Sequence, residues 1–258
     1  MKIVRFSAGR KTGYGVVEGR DIRVIRGNPF GGIRYAGVSV RQEDVKLLAP
    51  CLPSKIVCLG LNYRSHAAEA NQAVPQSPLI FLKPPTAVIG PEDKIIYPAM
   101  SQRVDYEGEL GVVIKKKASH VSEAEALNYV LGYTCFNDIT ARDLQNRDGQ
   151  WTRAKGFDTF AAFGPCIETD IDPANTPVET CLNGTLKQKG NTADLIFSVK
   201  NVISFISQVM ALLPGDVIAT GTPEGIAPMQ PGDTVEIKIA PIGTLRNYVV
   251  KPPAGAVG

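Results

Sequence analysis

Asp105-Tyr106-Glu107-Gly108-Glu109-Leu110-Gly111-Val112-Val113-Ile114 begins acidic and ends as an apolar run. In an extended strand, residues two apart point to the same face, so Glu107 and Glu109 project together at the mouth of the apolar segment. Two neighbouring carboxylates repel each other unless a cation neutralises them. Oxygen-only ligands of this kind select hard ions such as Mg²⁺, Mn²⁺ or Ca²⁺. A wet strand end, with both acids facing water, fits the E-x-E pattern equally well.

Further strands are expected on both sides of this stretch. Lys55 to Leu59 is broken by Gly60, and Leu79 to Leu82 is stopped by Lys83-Pro84-Pro85. Val130 to Phe136, Val217 to Ala219 and Val235 to Ile239 complete the apolar set, the last two each following a Pro-Gly-Asp turn (214–216 and 231–233). Helices are fewer. Asn62 to Asn71, with Asn62 as N-cap, and Thr140 to Arg147 are short; Val199 to Leu213 is longer, capped by Ser198 and ended by Pro214-Gly215. Many strands without a regular βαβ alternation predict an α+β, mainly β fold with a mixed sheet, and argue against a Rossmann fold or a TIM barrel. Residues 1–50 read as short strands: a hairpin of Lys2 to Ser7 and Gly15 to Glu18 around Lys11-Thr12-Gly13, then Asp21 to Ile25. The proline-punctuated link 47–53 predicts a boundary near residue 50, between a small N-terminal β appendage (1–50) and the main domain (51–258).

A formal charge of +3 over 258 residues gives no nucleic-acid or membrane surface. Lys115 to Lys117 is read as a solvated hairpin end, with a phosphate-binding patch as the minor alternative. The five cysteines are odd in number and lack C-x-x-C spacing, which supports neither a disulfide framework nor a zinc site. Buried thiols, no signal-peptide pattern and no apolar run of about 20 residues lead to the expectation of a cytoplasmic protein.

Asp138 adds a third carboxylate where an apolar strand meets a helix, a place where it could equally be an N-cap. Arg142 and Gln145 lie three residues apart on one helical face, and a guanidinium matches a carboxylate bidentately. His66 and Glu69 also share a helical face, so the glutamate can orient the imidazole as a base near neutral pH; a surface His–Glu contact is the bland alternative. His120, in a loop after the lysine run, is assigned no role.

The ordered set is more specific than its parts. Asn62-Tyr63-x-x-His66-x-x-Glu69, Phe81-x-Lys83-Pro84, Asp105-Tyr106-Glu107-x-Glu109-x-Gly111, Phe136-Asn137-Asp138-x-x-x-Arg142, Lys155-x-Phe157-Asp158 and Gly221-Thr222-Pro223-x-Gly225 follow one another. Over residues 53–250 the chain resembles the fumarylacetoacetate hydrolase family. That resemblance implies a mixed β-roll, usually a homodimer, with Mg²⁺ or Mn²⁺ on Glu107, Glu109 and Asp138. It also implies a catalytic pair, His66 and Glu69, in a segment that in relatives often orders over the site. Lys155 would face developing negative charge, and Arg142, Gln145 and Thr222 would hold substrate oxygens.

The larger animal fumarylacetoacetate hydrolases bring a further metal carboxylate from just upstream of the histidine. Val57 to Ser65 has none here, and the N-terminal portion is shorter. The plan is nearer to small acylpyruvate hydrolases and to the 2-hydroxyhepta-2,4-diene-1,7-dioate isomerase/decarboxylases of aromatic-acid breakdown. The expected reaction is hydrolytic C3–C4 cleavage of a 2,4-dioxo acid through an enolate held by the metal. The alternatives are isomerisation of the heptadienedioate, or decarboxylation of a 2-oxo-heptenedioate or oxaloacetate. A reading of another class is a catalytically inactive metal- and anion-binding homologue.

Overall fold

Gly108–Ile114 lies inside a twelve-stranded sheet in the computed structural model, which describes residues 1–252. It pairs antiparallel with Val130–Asp138 on one side and with Val217–Ala219 on the other. Ile56–Gly60 then runs parallel to Val217–Ala219, and Leu79–Lys83 closes that edge. In the other direction come Ala161–Glu168, Lys2–Ala8, Lys11–Glu18, Asp21–Ile25 and Tyr35–Arg41. Residues 1–50 therefore continue the main sheet through the pairs Lys2↔Glu168 and Ile3↔Ile167. A five-stranded sheet (Thr185–Asn191, Pro177–Leu182, Thr234–Ile239, Gly243–Val250, Lys94–Ile96) and a three-stranded one (Thr140–Ala141, Val104–Asp105, Pro228–Met229) complete the α+β, mainly β architecture. The end of the expected main domain, residues 253–258, lies outside the described residues.

The central strand is buried throughout because both of its faces are covered. Leu110, Val112 and Ile114 enter one core cluster with Val178, Ile237 and Leu245 of the five-stranded sheet. Val113 points the other way, into a cluster with Ile56, Phe136, Phe163 and Val217. Phe136 and Phe163 stack there with centroids 6.0 Å apart. Each such side chain contributes roughly 1.5–3 kcal/mol by leaving water. Alternation along the strand thus tells which face each residue serves, and the acidic residues fall at the end where the apolar run stops.

Several expected element ends move. The first hairpin turns at Gly9-Arg10, since Ala8 pairs with Lys11 and Gly9 takes φ +59°; Lys11 to Gly13 are strand. Helix α1 spans Arg64–Glu69, and Asn62 is not its cap. The Asn62 amide is instead buried, donating to Thr220 O (2.8 Å) and Phe197 O (3.1 Å) and accepting from Phe197 N (2.8 Å). Helix α2 spans Arg142–Asp148; Thr140–Ala141 form a strand, so Asp138 ends a strand and caps nothing. After α3 (Thr152–Lys155), α4 runs from Val199 to Val209, with Ser198 Oγ accepting from Asn201 N at 3.3 Å as expected. It stops short of Leu213 because Met210 turns extended and Leu212 bridges to Ala118. All five cysteines are buried and free. No helix among the described residues is long and apolar enough to cross a membrane.

Of the two Pro-Gly-Asp turns, the first ties Ser54 and Lys55, just past the proline-punctuated stretch, to the core. Asp216, fully buried, accepts from Ser54 N (3.0 Å), Lys55 N (3.2 Å), Ser54 Oγ (2.7 Å) and Leu213 N (2.8 Å), and pairs with the Lys55 ammonium. An Asp216→Ala variant strands these donors, and its unfolding free energy should fall by about 3–5 kcal/mol in denaturant titration. A loss within 0.5 kcal/mol, the ordinary scatter of surface substitutions, would contradict this role.

Candidate active site

The carboxylates converge because two paired strands deliver them. Gly108 pairs with Asn137 and Glu109 with Phe136, which leaves Asp138 beside Glu107 at the end of the ladder. Asp138 N donates to Glu107 O at 2.9 Å, and Glu107 N to Asn137 Oδ1 at 3.0 Å. One carboxylate oxygen each from Glu107, Glu109 and Asp138 then lie within 4.8 Å of one another, all three residues buried. The expected triad is assembled.

Cations stand around this cluster, contrary to the isolated pair of acids that the local sequence suggests. Lys155 Nζ donates to Glu107 Oε2 (2.8 Å) and Asp138 Oδ2 (2.7 Å). Lys83 Nζ bonds to Asp138 Oδ1 and to Ile139 O (2.9 Å). Arg142 pairs with Glu107 Oε1, with Asp105 Oδ2 (2.9 Å) and with Gln145 Oε1 (2.5 Å). Against the upward push of burial, Lys155 and Arg142 hold the Glu107 carboxyl down at about 2. Burial alone would lower the Lys155 ammonium, but Asp138 and Glu107 carry it up to about 12. In Lys83 burial outweighs Asp138 and the ammonium is lowered.

Glu109 is different. Its Oε2 accepts from Gly221 N at 2.7 Å, while its buried Oε1 has no hydrogen-bond partner among the described residues. Burial, then Asp138 and Glu107, raise its carboxyl well above the usual glutamate range. An unpaired buried carboxylate is costly. The donor set is all oxygen, the three groups are close, and one oxygen lacks a counter-charge. These residues fit a hard divalent cation.

The cluster opens into a cleft of about 310 Å³, with Glu107, Lys155, Arg142, Gln145, Thr222 and His66 in its lining. His66 Nδ1 lies 3.0 Å from Glu69 Oε2, and Glu69 Oε1 accepts from Gly225 N at 3.0 Å. Nδ1 thus engaged leaves Nε2 as the free ring nitrogen. Gly221 and Gly225 adopt φ +96° and +92°, and a Cβ would sit 2.8 Å from Asn62 Cβ in the first case and 2.4 Å from Lys187 O in the second. Only glycine lets this loop bring both amides to Glu109 and Glu69. The lining also includes Leu59, Phe81, Trp151 and Ile226, with Phe81 and Trp151 edge to face at 5.2 Å.

Thr222 lines the cleft, but its hydroxyl already donates to Gly108 O (3.0 Å) and accepts from Gln188 Nε2 (2.8 Å). Lys83, Asp105 and Gln188 carry no local signal of a site role, and Asn62 is expected only as a helix cap, although Lys83, Asp105 and Asn62 lie within the family motifs. Gln188 also accepts from Gly108 N at 3.0 Å and so locks the turn beside Glu107.

Fold and cleft define a mainly β protein with an acidic cluster, two buried lysines bonded to it, and an imidazole held by a carboxylate at the cleft. Residues 55–250 match the family described as Fumarylacetoacetate (FAA) hydrolase C-terminal, and residues 1–50 match Rv2993c-like, N-terminal. The chain belongs to the fumarylacetoacetate hydrolase family of enzymes. It is 45% identical to 2-hydroxyhepta-2,4-diene-1,7-dioate isomerase from Mycobacterium marinum, covering 98% of this chain and 99% of that one with a TM-score of 0.92. Maleylpyruvate hydrolase from Sphingobium sp. SYK-6, in complex with manganese(II) ion and pyruvate, is 32% identical over 97% and 99% of the chains, with a TM-score of 0.82. Human mitochondrial oxaloacetate tautomerase FAHD2A is 40% identical over 222 residues, 81% of this chain and 71% of the relative.

Because the Glu109 carboxyl is raised above the ordinary 4.5, the folded chain holds a proton that the unfolded chain gives up. The stability this contributes is whole below pH 4.5 and is lost as pH rises through the folded value. A bound divalent cation must expel the same proton. Calorimetry in two buffers of different ionisation enthalpy should therefore show proton release on Mn²⁺ binding, with affinity rising with pH. Glu109→Gln should abolish tight binding and remove the proton release; proton-independent binding in the wild type would contradict this assignment.

Proposed function

We propose that this enzyme cleaves a small 2,4-dioxo acid hydrolytically, with Glu107, Glu109 and Asp138 holding Mg²⁺ or Mn²⁺ and His66 acting as the base. The observation that carries the reading is that His66, paired with Glu69 behind it, lines the same cleft as Glu107 and Lys155. When bound, the metal supplies a Lewis acid that polarises the 2-oxo acid end of the substrate.

The protein's own residues do the rest. Glu69 keeps the imidazole oriented, so that its free nitrogen can take a proton from water. The hydroxide adds to the C4 carbonyl, and collapse of the adduct breaks the C3–C4 bond. The released electron pair delocalises from C3 onto the 2-oxo oxygen as an enolate, beside the Lys155 ammonium. Protonation at C3 from the imidazolium completes pyruvate and restores the base. Phe81 and Trp151 form the wall that excludes bulk water from this exchange.

The lining favours a substrate with an uncharged distal end. Asp105, Glu107, Glu109 and Asp138 stand among Lys83, Arg142 and Lys155, and Asp105 also pairs with the half-exposed Arg103. Arg142 and Lys155, the arginine and lysine of the lining, are already paired with acids, while Leu59, Phe81, Trp151 and Ile226 make part of the lining apolar. An acylpyruvate with an uncharged acyl end fits this division. Dimerisation, usual for the family, is expected of this chain as well.

A second reading, isomerase or tautomerase, is supported by the names of the Mycobacterium marinum and human relatives. In it the same imidazole moves a proton at C3 and no water is consumed. Assayed with Mn²⁺, acetylpyruvate and longer acylpyruvates should release pyruvate faster than oxaloacetate or a heptadienedioate ketonises. His66→Ala should slow pyruvate release by ~10²- to 10⁴-fold. An unchanged rate in that variant, or ketonisation without pyruvate release across the panel, would overturn the hydrolytic reading.

A further inference from the structure

The two buried lysines hold opposite oxygens of one carboxylate, yet they are held differently themselves. Lys83 is fully buried, bonds to Asp138 Oδ1, and is anchored a second time by the Ile139 carbonyl at 2.9 Å. Lys155 lines the cleft; its bonds are to Asp138 Oδ2 and Glu107 Oε2, with the Phe81 ring centroid 4.9 Å away. It therefore bridges two of the three carboxylates assigned to the cation, and no backbone group fixes it among the described residues.

We infer that Lys155 and the divalent cation compete for the Glu107 and Asp138 oxygens, so that cation binding frees the Lys155 ammonium into the cleft, while Lys83 stays in place and positions Asp138. The inference rests on the metal reading of the cluster given above. Its basis is electrostatic. Both Asp138 oxygens already accept an ammonium, so a third positive centre on the same carboxylate must displace one of them or bear the repulsion of two close cations. The lysine with a second, backbone anchor and no opening to the cleft costs more to move. The one facing the cleft has somewhere to go, and the end of that movement is a positive group beside the substrate's 2-oxo acid. Loading the cation would then also arm the site.

The test is isothermal titration of the full-length chain with MnCl₂, comparing wild type with Lys155→Met and Lys83→Met. Competition predicts that Lys155→Met binds Mn²⁺ on the order of tenfold more tightly or better. Lys83→Met should bind no more tightly than wild type, because Asp138 loses its anchor. Equal tightening in both variants would mean simple removal of charge and would overturn the inference, as would unchanged or weaker binding in Lys155→Met. Should Lys83→Met fail to fold, Arg142→Gln serves as the charge control, since it removes a cation from Glu107 without touching the bridge; tightening equal to that of Lys155→Met would again overturn the inference. Absence of Mn²⁺ binding in wild type would sink the metal reading itself, whereas wild-type binding without the Lys155→Met gain sinks only the competition.

Discussion

Three buried carboxylates held within 4.8 Å of one another impose the main constraint on this structure. Left alone, such a group would neutralise itself or pull apart, because burial and mutual repulsion act in the same direction on each acid. The fold instead pins them by backbone pairing. Glu107 and Asp138 are tied through Asp138 N and Glu107 O, and Glu109 is fixed by the ladder to Phe136 and by the amide of Gly221. The apolar faces of the central strand supply the rigidity, and the cations Lys83, Lys155 and Arg142 offset most of the charge. Glu109 alone is left without a cation, which is why the cluster reads as a site and not as a closed ion-pair network.

The same constraint organises the cleft. A divalent cation on the cluster would set one end of the substrate, while helix α1 brings an imidazole to the same opening. Gly225 N, contributed by the loop that also carries Gly221, holds Glu69 behind that imidazole. One loop with two left-handed glycines thus connects the acidic cluster to the base. The N-terminal strands contribute at a distance, by extending the sheet that carries Val130–Asp138.

Much of this was legible in the amino-acid order, and the reasons are local. Alternation and unbroken apolar runs marked 107–114 and 130–136 as strands, and the acids at or just past their ends marked the place where chemistry sits. The i,i+3 spacing of His66 and Glu69 survived into a 3.0 Å contact. What stayed hidden depends on partners far away in the chain. Lys83 meets Asp138 across 55 positions, and Asn62 meets Thr220 across 158. Asn62 has the residue type and position of a helix cap, yet a buried amide serving two distant carbonyls is the better use of it. Thr140-Ala141 looked helical because the short strand they join is completed only by residues 104–105 and 228–229. Gln188 sits in a hairpin with no local signal and matters only because Gly108, Thr180 and the loop 222–224 meet on its amide.

The central claim is that Glu107, Glu109 and Asp138 together hold one divalent cation. Anomalous diffraction at the manganese edge, from crystals grown with Mn²⁺, tests it most directly. The account predicts a single strong peak coordinated by one oxygen from each of the three carboxylates. A peak located elsewhere, or none at saturating Mn²⁺, would contradict it.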